Sequence, residues 1–385
     1  MTSFAFSSFS KFFNKGTPTA LGVDIGSSAI KIVQIKKKNG QAVLETYGEL
    51  ALGPYSGLGV GQAVALAPDK IAQALTDLMK EKEVNVTTKK CGISIPFASS
   101  LMSVIEMPDV SSRRLSVMVP LEARRYIPVP ISEVMLDWSV IPKSEVVTED
   151  SSEYVATEGR SPDETGKAPA ALAKIDVLIV AIHNETIARY QEIVAKSGLE
   201  AGFFEIEIFS TMRAVLDEAL RPVMIMDMGA ASTKLYVVER GVIRSSHTIN
   251  RGSQDITIAI SKSLGLPLGQ AEVLKRQMGA AGEDKNLTDI IILTLDYIFA
   301  EVNNTLLAFE KKHNRTISKV ILVGGGSALK GLSELARTNF KADVVIADPF
   351  SKVSAPAFLE KILKETGPEF AVAIGLALRK LAEEE

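Results

Sequence analysis

One cysteine, Cys91, and three scattered histidines, His183, His247 and His313, are all the thiol and imidazole in this 385-residue chain. A lone cysteine excludes an intramolecular disulfide framework and fits a reducing compartment. On an apolar strand it reads as a small buried residue. No cysteine stands near a histidine at ligand spacing, which disfavours a zinc site. Excess charge of one sign is also missing: 43 Lys and Arg against 46 Asp and Glu leave a formal −3, so there is no basic field for nucleic acid. No apolar run approaches a membrane span; the longest, Phe370–Leu378, is nine residues of mostly small side chains. Serines and lysines break up the five phenylalanines of the first fifteen residues, leaving no continuous signal-peptide core. These absences describe a cytoplasmic chain that is not itself threaded through a membrane. A Walker sequence is absent too, since Gly166-Lys167 lacks the upstream glycine, and no Gly-x-Gly-x-x-Gly follows a strand.

What is present is an ordinary globular composition, 46% apolar and 23% charged. At about 150 residues per domain the length suggests two or three domains. Apolar patterning predicts strands over 20–25, 29–35 and 42–50, a helix over 69–82, and strands over 91–95 and 102–107. A helix over 111–126 follows, with Ser111 or Ser112 as N-cap and Pro128 and Pro130 beyond its end. Strands over 133–141 and 175–182 flank an acidic segment, 143–173, too poor in large apolar residues to supply a core. Next come a helix over 184–197, a strand over 202–206 and a helix to about 220. The second half reads as strands over 223–228, 233–238 and 242–249, then helices over 254–264, 268–278 and 288–312. A strand over 320–323, a helix over 328–337, a strand over 344–347 and helices over 357–364 and 370–381 close the chain. This alternation indicates an α/β architecture with mixed sheets.

The halves share a motif. Asp24-Ile-Gly26-Ser27-Ser28-Ala-Ile-Lys31 matches Asp227-Met-Gly229-Ala230-Ala231-Ser-Thr-Lys234 as Asp-x-Gly-x₄-Lys, each time between two strands. One copy would be an ordinary hairpin turn; two, one per half, point to paired sites. Gly26 and Gly229 let backbone approach a ligand closely, and the amides of Ser27, Ser28, Ala230 and Ala231 can face anionic oxygens. Asp24 and Asp227, at strand ends, sit where a carboxylate can hold Mg²⁺ through water beside a polyphosphate. Lys31 and Lys234 either reach phosphate or point to solvent. A third element, Val320-Ile-Leu-Val-Gly324-Gly325-Gly326-Ser327, is a strand followed by a triple glycine, against which ribose or α-phosphate can lie.

In this order the motifs resemble the actin-like ATPase superfamily of actin, sugar kinases, heat-shock chaperones and the division protein FtsA. Phe204–Ala214, with Glu207, and Pro368–Leu378, with Gly375, are similar to its two connecting helices. Within it, Glu106-Met-Pro108, Glu122-Ala-Arg-Arg-Tyr126-Ile-Pro128-Val-Pro130, Asp137 and Gly375-Leu-Ala-Leu-Arg379 resemble the PilM family of type IV pilus assembly. The resemblance runs from about Leu21 to Arg379. It implies an actin-like, ribonuclease H-like two-lobe fold with a small FtsA-like inserted subdomain. The expected parts are a tail (1–18), a first lobe (19–98, 201–220 and 365–385), an inserted subdomain (99–200, with a mobile loop at 143–173), a second lobe (221–252 and 319–364) and a helical subdomain (253–318).

The resemblance also implies ATP with Mg²⁺ as ligand and Glu207 as the residue orienting attacking water, with slow hydrolysis sufficient. A helix-terminal charge stabilised by the dipole is the other reading of Glu207. Glu272, Lys275 and Arg276 share one helix face at i, i+3 and i+4. The resemblance gives them ribose and adenine contacts; otherwise they form a solvated charged face. Phe6, Phe9 and Phe13 fit a short interfacial helix, or a tail docked on a partner or disordered. Arg113, Arg114, Arg124 and Arg125 read as a solvated face.

The implied role is a cytoplasmic platform peripheral to the inner membrane. It would dock the cytoplasmic N-terminal peptide of the membrane protein PilN, in a groove between first lobe and inserted subdomain, and link nucleotide state to other pilus components. An FtsA-like division filament and a small-molecule kinase are the alternatives. The first expects a C-terminal membrane helix after a linker, whereas the chain closes on Ala-Glu-Glu-Glu385 directly after a helix. The second expects a substrate pocket that the small insert does not suggest. The type II secretion protein GspL is disfavoured because no membrane span follows.

Overall fold

The computed structural model describes residues 18–141, 173–217 and 221–383. The phenylalanine-rich tail and nearly all of the acidic loop lie outside the described residues. The chain runs β1 (Thr19–Ile25), β2 (Ala29–Lys38), β3 (Gln41–Ala51), α1 (Pro68–Lys80) and β4 (Lys90–Ile95). Then come β5 (Ser100–Pro108), α2 (Ser112–Ala123), β6 (Val134–Ile141), β7 (Lys174–His183), α3 (Asn184–Ser197), β8 (Glu200–Ile206) and α4 (Glu207–Val215). The second half holds β9 (Val223–Met228), β10 (Thr233–Glu239), β11 (Val242–Ile249), α5 (Ser253–Leu264), α6 (Leu268–Met278) and α7 (Lys285–His313). β12 (Lys319–Val323), α8 (Leu332–Asn339), β13 (Asp343–Ile346), α9 (Glu360–Thr366) and α10 (Ala371–Ala382) complete it.

The sequence repeat is an architectural repeat. One sheet has the order β3-β2-β1-β4-β8 and a second has β11-β10-β9-β12-β13. In each, an antiparallel meander continues through a parallel pair, β1 with β4 and β9 with β12. Their central strands are apolar on both faces, as helix-covered sheets require: β9 is buried along its whole length. In the first lobe α10 lies over β1, β2 and β4 and against α4. The α4–α10 crossing is close because residue 375 is glycine; a Cβ there would sit 1.9 Å from the Ser210 carbonyl oxygen.

In the second lobe Met224, Met226, Leu235, Val237 and Leu322 bury against Ile256, Ile260, Leu295 and Phe299 of α5 and α7. An 18-residue window of α7 has mean hydropathy 1.4, long and apolar enough to cross a membrane by length and composition. This corrects the expectation drawn from unbroken apolar runs, which stop at Thr294 and Asp296. Here Leu287, Ile291, Leu295, Ile298 and Val302 form a stripe at helical spacing buried in the lobe core.

Residues Ser100–Glu185 form a separate compact unit, so α3 belongs with the larger unit from Thr186 onward. Its sheet has the order β5-β7-β6, antiparallel throughout. Ile105, Met107, Val177 and Ile179 pack on Leu115, Val119 and Ala123 of α2. Arg113, Arg114, Arg124 and Arg125 are exposed, Arg125 pairing with Glu122 at 2.7 Å.

Other boundaries differ from the sequence reading for local reasons. Ser111 precedes α2 but its side chain makes no cap. α4 stops at Val215, and α7 starts at Lys285, where Asp284 accepts the Leu287 amide at 3.2 Å. The helix expected over 328–337 is a 3₁₀ turn over Gly325–Ala328 followed by α8, because Gly331 takes φ +81° between them.

Candidate functional site

Both Asp-x-Gly-x₄-Lys turns fold identically. Gly26 donates its amide to the Ala29 carbonyl at 3.0 Å and Gly229 to that of Ser232 at 2.9 Å. Cross-strand register then sets Asp24 opposite Lys31 and Asp227 opposite Lys234, which is why the aspartate and lysine stand seven residues apart. The two turns line one cleft of 360 Å³. Every residue proposed from the sequence to hold nucleotide, metal or attacking water lines it except Ser327, which is buried with its hydroxyl donating to the Gly324 carbonyl at 2.6 Å.

A hydrogen-bonded path joins the turns. The Ser27 carbonyl accepts the Val64 amide at 2.9 Å, and the neighbouring Ala63 amide donates to Gln254 Oε1 at 2.8 Å. The Gln254 amide in turn donates to the Ala230 carbonyl at 3.0 Å.

The cleft floor is ionic. Ser94 Oγ donates to Asp24 Oδ1 at 2.8 Å. Burial pushes the Asp24 carboxyl up to about 6; nearby Glu207 adds to this, while Lys31, Ser94 and Lys234 oppose it. Lys31 pairs with Glu49 on β3 at 3.3 Å. Burial works against its charge, but Glu49, Glu369 and Asp24 hold its ammonium above the ordinary range. Lys234 pairs with Glu207 Oε2 at 2.8 Å and with Asp227 Oδ2 at 3.4 Å. It too stays charged against burial, through Asp227, Glu207 and Asp24. Neither lysine points freely to solvent. Glu207 opens α4, and its Oε1 accepts the Phe97 amide at 2.6 Å, so both its oxygens are engaged.

Gly324 takes φ +82°, and a Cβ there would lie 2.4 Å from Asp227 Oδ1. Only glycine brings this turn so close to the second aspartate. On α6, Glu272 accepts Thr257 Oγ1 at 2.6 Å, Lys275 Nζ at 2.7 Å and Arg276 Nε at 2.7 Å. Lys275 also donates to the Ser253 carbonyl at 3.1 Å. Glu272 and Lys275 are buried, so of the three only Arg276 is a solvated charge. Burial lowers Lys275 despite Glu272, while its cation partners keep Glu272 low against burial.

Sequence reasoning missed Glu49, Gly61, Thr211 and Glu369 of the lining. Burial, with Glu49 adding to it, raises the Glu369 carboxyl.

The aspartates fit a cation held mainly through water and phosphate. Among the described residues no group of three His, Cys, Asp or Glu side chains converges as a metal cage, and Mg²⁺ is typically held by one or two carboxylates with several waters.

A family model described as "Type IV pilus assembly protein PilM" matches residues 22–161 and 163–381. The fold is similar to a chain of a PilM–PilN type IV pilus biogenesis complex, with 26% identity, TM-score 0.75, and coverage of 94% of this chain and 98% of that one. The ethanolamine utilization protein EutJ of Carboxydothermus hydrogenoformans shares the fold at TM-score 0.51 and 15% identity, covering 94% and 90%. In sequence the chain is similar to the cell division protein FtsA of Neisseria meningitidis, 24% identical over 92% of this chain and 88% of that one.

Proposed function

The chain belongs to the PilM family of type IV pilus assembly proteins, with an actin-like fold, and from that premise we propose that it is an ATP- and Mg²⁺-binding platform of the pilus machine. It works in the cytoplasm, peripheral to the inner membrane, and docks the N-terminal cytoplasmic peptide of a PilN-type partner. The observation that carries the nucleotide reading is the pair of identical turns lining one cleft with the Gly324–Gly326 turn. Amides of Ser27, Ser28, Ala230 and Ala231 would hold phosphate oxygens from two sides. Asp24 and Asp227 would hold Mg²⁺ through water, and the metal supplies charge neutralisation for the polyphosphate. Glu272, Lys275 and Arg276 would face the nucleoside. Glu207, with both oxygens engaged, supports slow hydrolysis at most.

Ala231 is exposed at the second turn, so Ala231→Asp places a carboxylate beside the phosphates without touching the core. Titration calorimetry should show Mg²⁺–ATP affinity falling at least about tenfold with the melting temperature unchanged, given like-charge repulsion inside a cleft. Equal affinity in the variant would remove the turn from the site.

The partner reading rests on the likeness to a chain solved together with PilN. An immobilised PilN N-terminal peptide should retain the wild-type chain, and retention should change when Mg²⁺–ATP is added. A chain that ignores the peptide in both conditions would refute the docking.

A further inference from the structure

The two matched lysines stand at equivalent positions yet are spent differently. Lys31 turns to Glu49 of its own lobe at 3.3 Å. Lys234 instead reaches across the cleft to Glu207, the first residue of α4 on the other lobe, at 2.8 Å, and holds its own hairpin's Asp227 more loosely at 3.4 Å. Its ammonium is therefore set among three carboxylates of the cleft, Asp227, Glu207 and Asp24. Resting on the nucleotide reading above, we infer that Lys234 reads the terminal phosphate of a nucleoside triphosphate, leaving Glu207 when that phosphate arrives and returning when it is gone.

The physical case is a competition for one ammonium. A terminal phosphate brings close to two negative charges and three acceptor oxygens, where Glu207 offers the lysine one charge and a single oxygen. The other oxygen of Glu207 is tied to the Phe97 amide, so the carboxylate stays in place when the lysine departs. Asp227 lies beside Lys234 across the hairpin and travels with it, keeping the ammonium compensated on its own lobe. A diphosphate lacks the group that would draw the lysine off. The triphosphate and diphosphate states then differ by one ion pair between the lobes, a difference that lobe closure can convey to bound partners.

The test compares affinities for ADP and for the non-hydrolysable triphosphate AMPPNP, both with Mg²⁺, by calorimetry. Because Lys234→Met alone strands two carboxylates, the decisive variant is Lys234→Met with Glu207→Gln, which removes one charge of each sign. Wild type should prefer AMPPNP. The double variant should bind ADP within about threefold of wild type and lose the triphosphate preference by about tenfold to a hundredfold, the scale of a charge-assisted hydrogen bond. Glu207→Gln alone, which leaves Lys234 less strongly held, should sharpen the preference. A double variant that keeps the wild-type ratio, or a wild type indifferent to the terminal phosphate, overturns the inference while leaving nucleotide binding intact. A wild type that binds neither ligand defeats the nucleotide reading itself.

Discussion

An Asp24→Asn variant should melt higher than the wild-type chain at pH 7.5 and bind Mg²⁺–ATP far more weakly. Asp24 stands among Ser94, Lys31, Glu207 and Lys234, and burial holds its folded carboxyl near 6 against an ordinary 3.8. Between those values the folded chain keeps a proton that the unfolded chain has lost, so stability falls as pH rises from about 4 towards 6 and stays reduced above it. At about 1.4 kcal/mol per pH unit the gap bounds the penalty near 3 kcal/mol, and screening at an open cleft brings it to about 2. Asparagine keeps an oxygen for the Ser94 hydroxyl and removes the charge. Calorimetric melting should therefore rise by about 2 to 3 °C at pH 7.5, and the difference should narrow at pH 5. Without the carboxylate that would hold hydrated Mg²⁺, nucleotide affinity should fall by about a hundredfold. Loss of stability together with binding would mean that Asp24 is structural rather than a group kept for its ligand.

Glu205→Ala should give the largest loss of stability of any single change discussed. Glu205 is buried on β8, and its carboxylate gathers two other elements. Arg213 of α4 donates through both terminal nitrogens, at 2.8 and 2.9 Å, and Ser210 adds its hydroxyl. Arg379 of α10 donates at 2.7 Å while lying 3.9 Å over the Phe203 ring. Burial alone would raise this carboxyl, but Arg213, then Ser210 and Arg379, hold it below the usual range. Removing it deprives Arg213 and Arg379 of their shared carboxylate at the α4–α10 crossing, leaving Arg213 the Gly375 carbonyl at 3.0 Å and Arg379 the Glu383 carboxylate at 3.0 Å. Partial hydration of both arginines puts the cost near the lower end of the broken buried-pair range, about 3 kcal/mol. Thermal melting should drop by several degrees, and Glu205→Gln should lose less. Because the folded carboxyl is depressed, this contribution is present above the ordinary glutamate range and is lost as pH falls through the folded value. An alanine variant melting like wild type would show that the cluster contributes nothing net.

The succession of strands and helices and the paired turns were legible in the sequence because their signals are local, whereas the order of strands within each sheet, set by parallel partners such as β4 and β12, was not. Asp24, Gly26 and Lys31 carry one hairpin's register in eight residues, and Asp227 to Lys234 repeat it. The same spacing could not say where the lysines point. That depends on Glu49 from β3 and Glu207 from α4, which arrive by tertiary folding. Ser94 reaches Asp24 from 70 residues away, and Glu369 enters the lining from the far end of the chain. On α6 the shared face was legible, but the burial of Lys275 was not, since Thr257 and Ser253 on another helix receive it. The break before α8 was missed because one glycine, Gly331, outweighs otherwise good helix formers.

The path Ser27–Val64–Ala63–Gln254–Ala230 has a mechanical meaning. It works as a spacer bar, one amide long at its weakest joint, that sets the gap between the jaws before any ligand enters. Only the joint between Ala63 and Gln254 relies on a side chain, and an amide to side-chain bond of this kind contributes about 1 kcal/mol. Prying the jaws apart for exchange is thus cheap at one fixed point, while the gauge they return to is written in the chain rather than imposed by the guest.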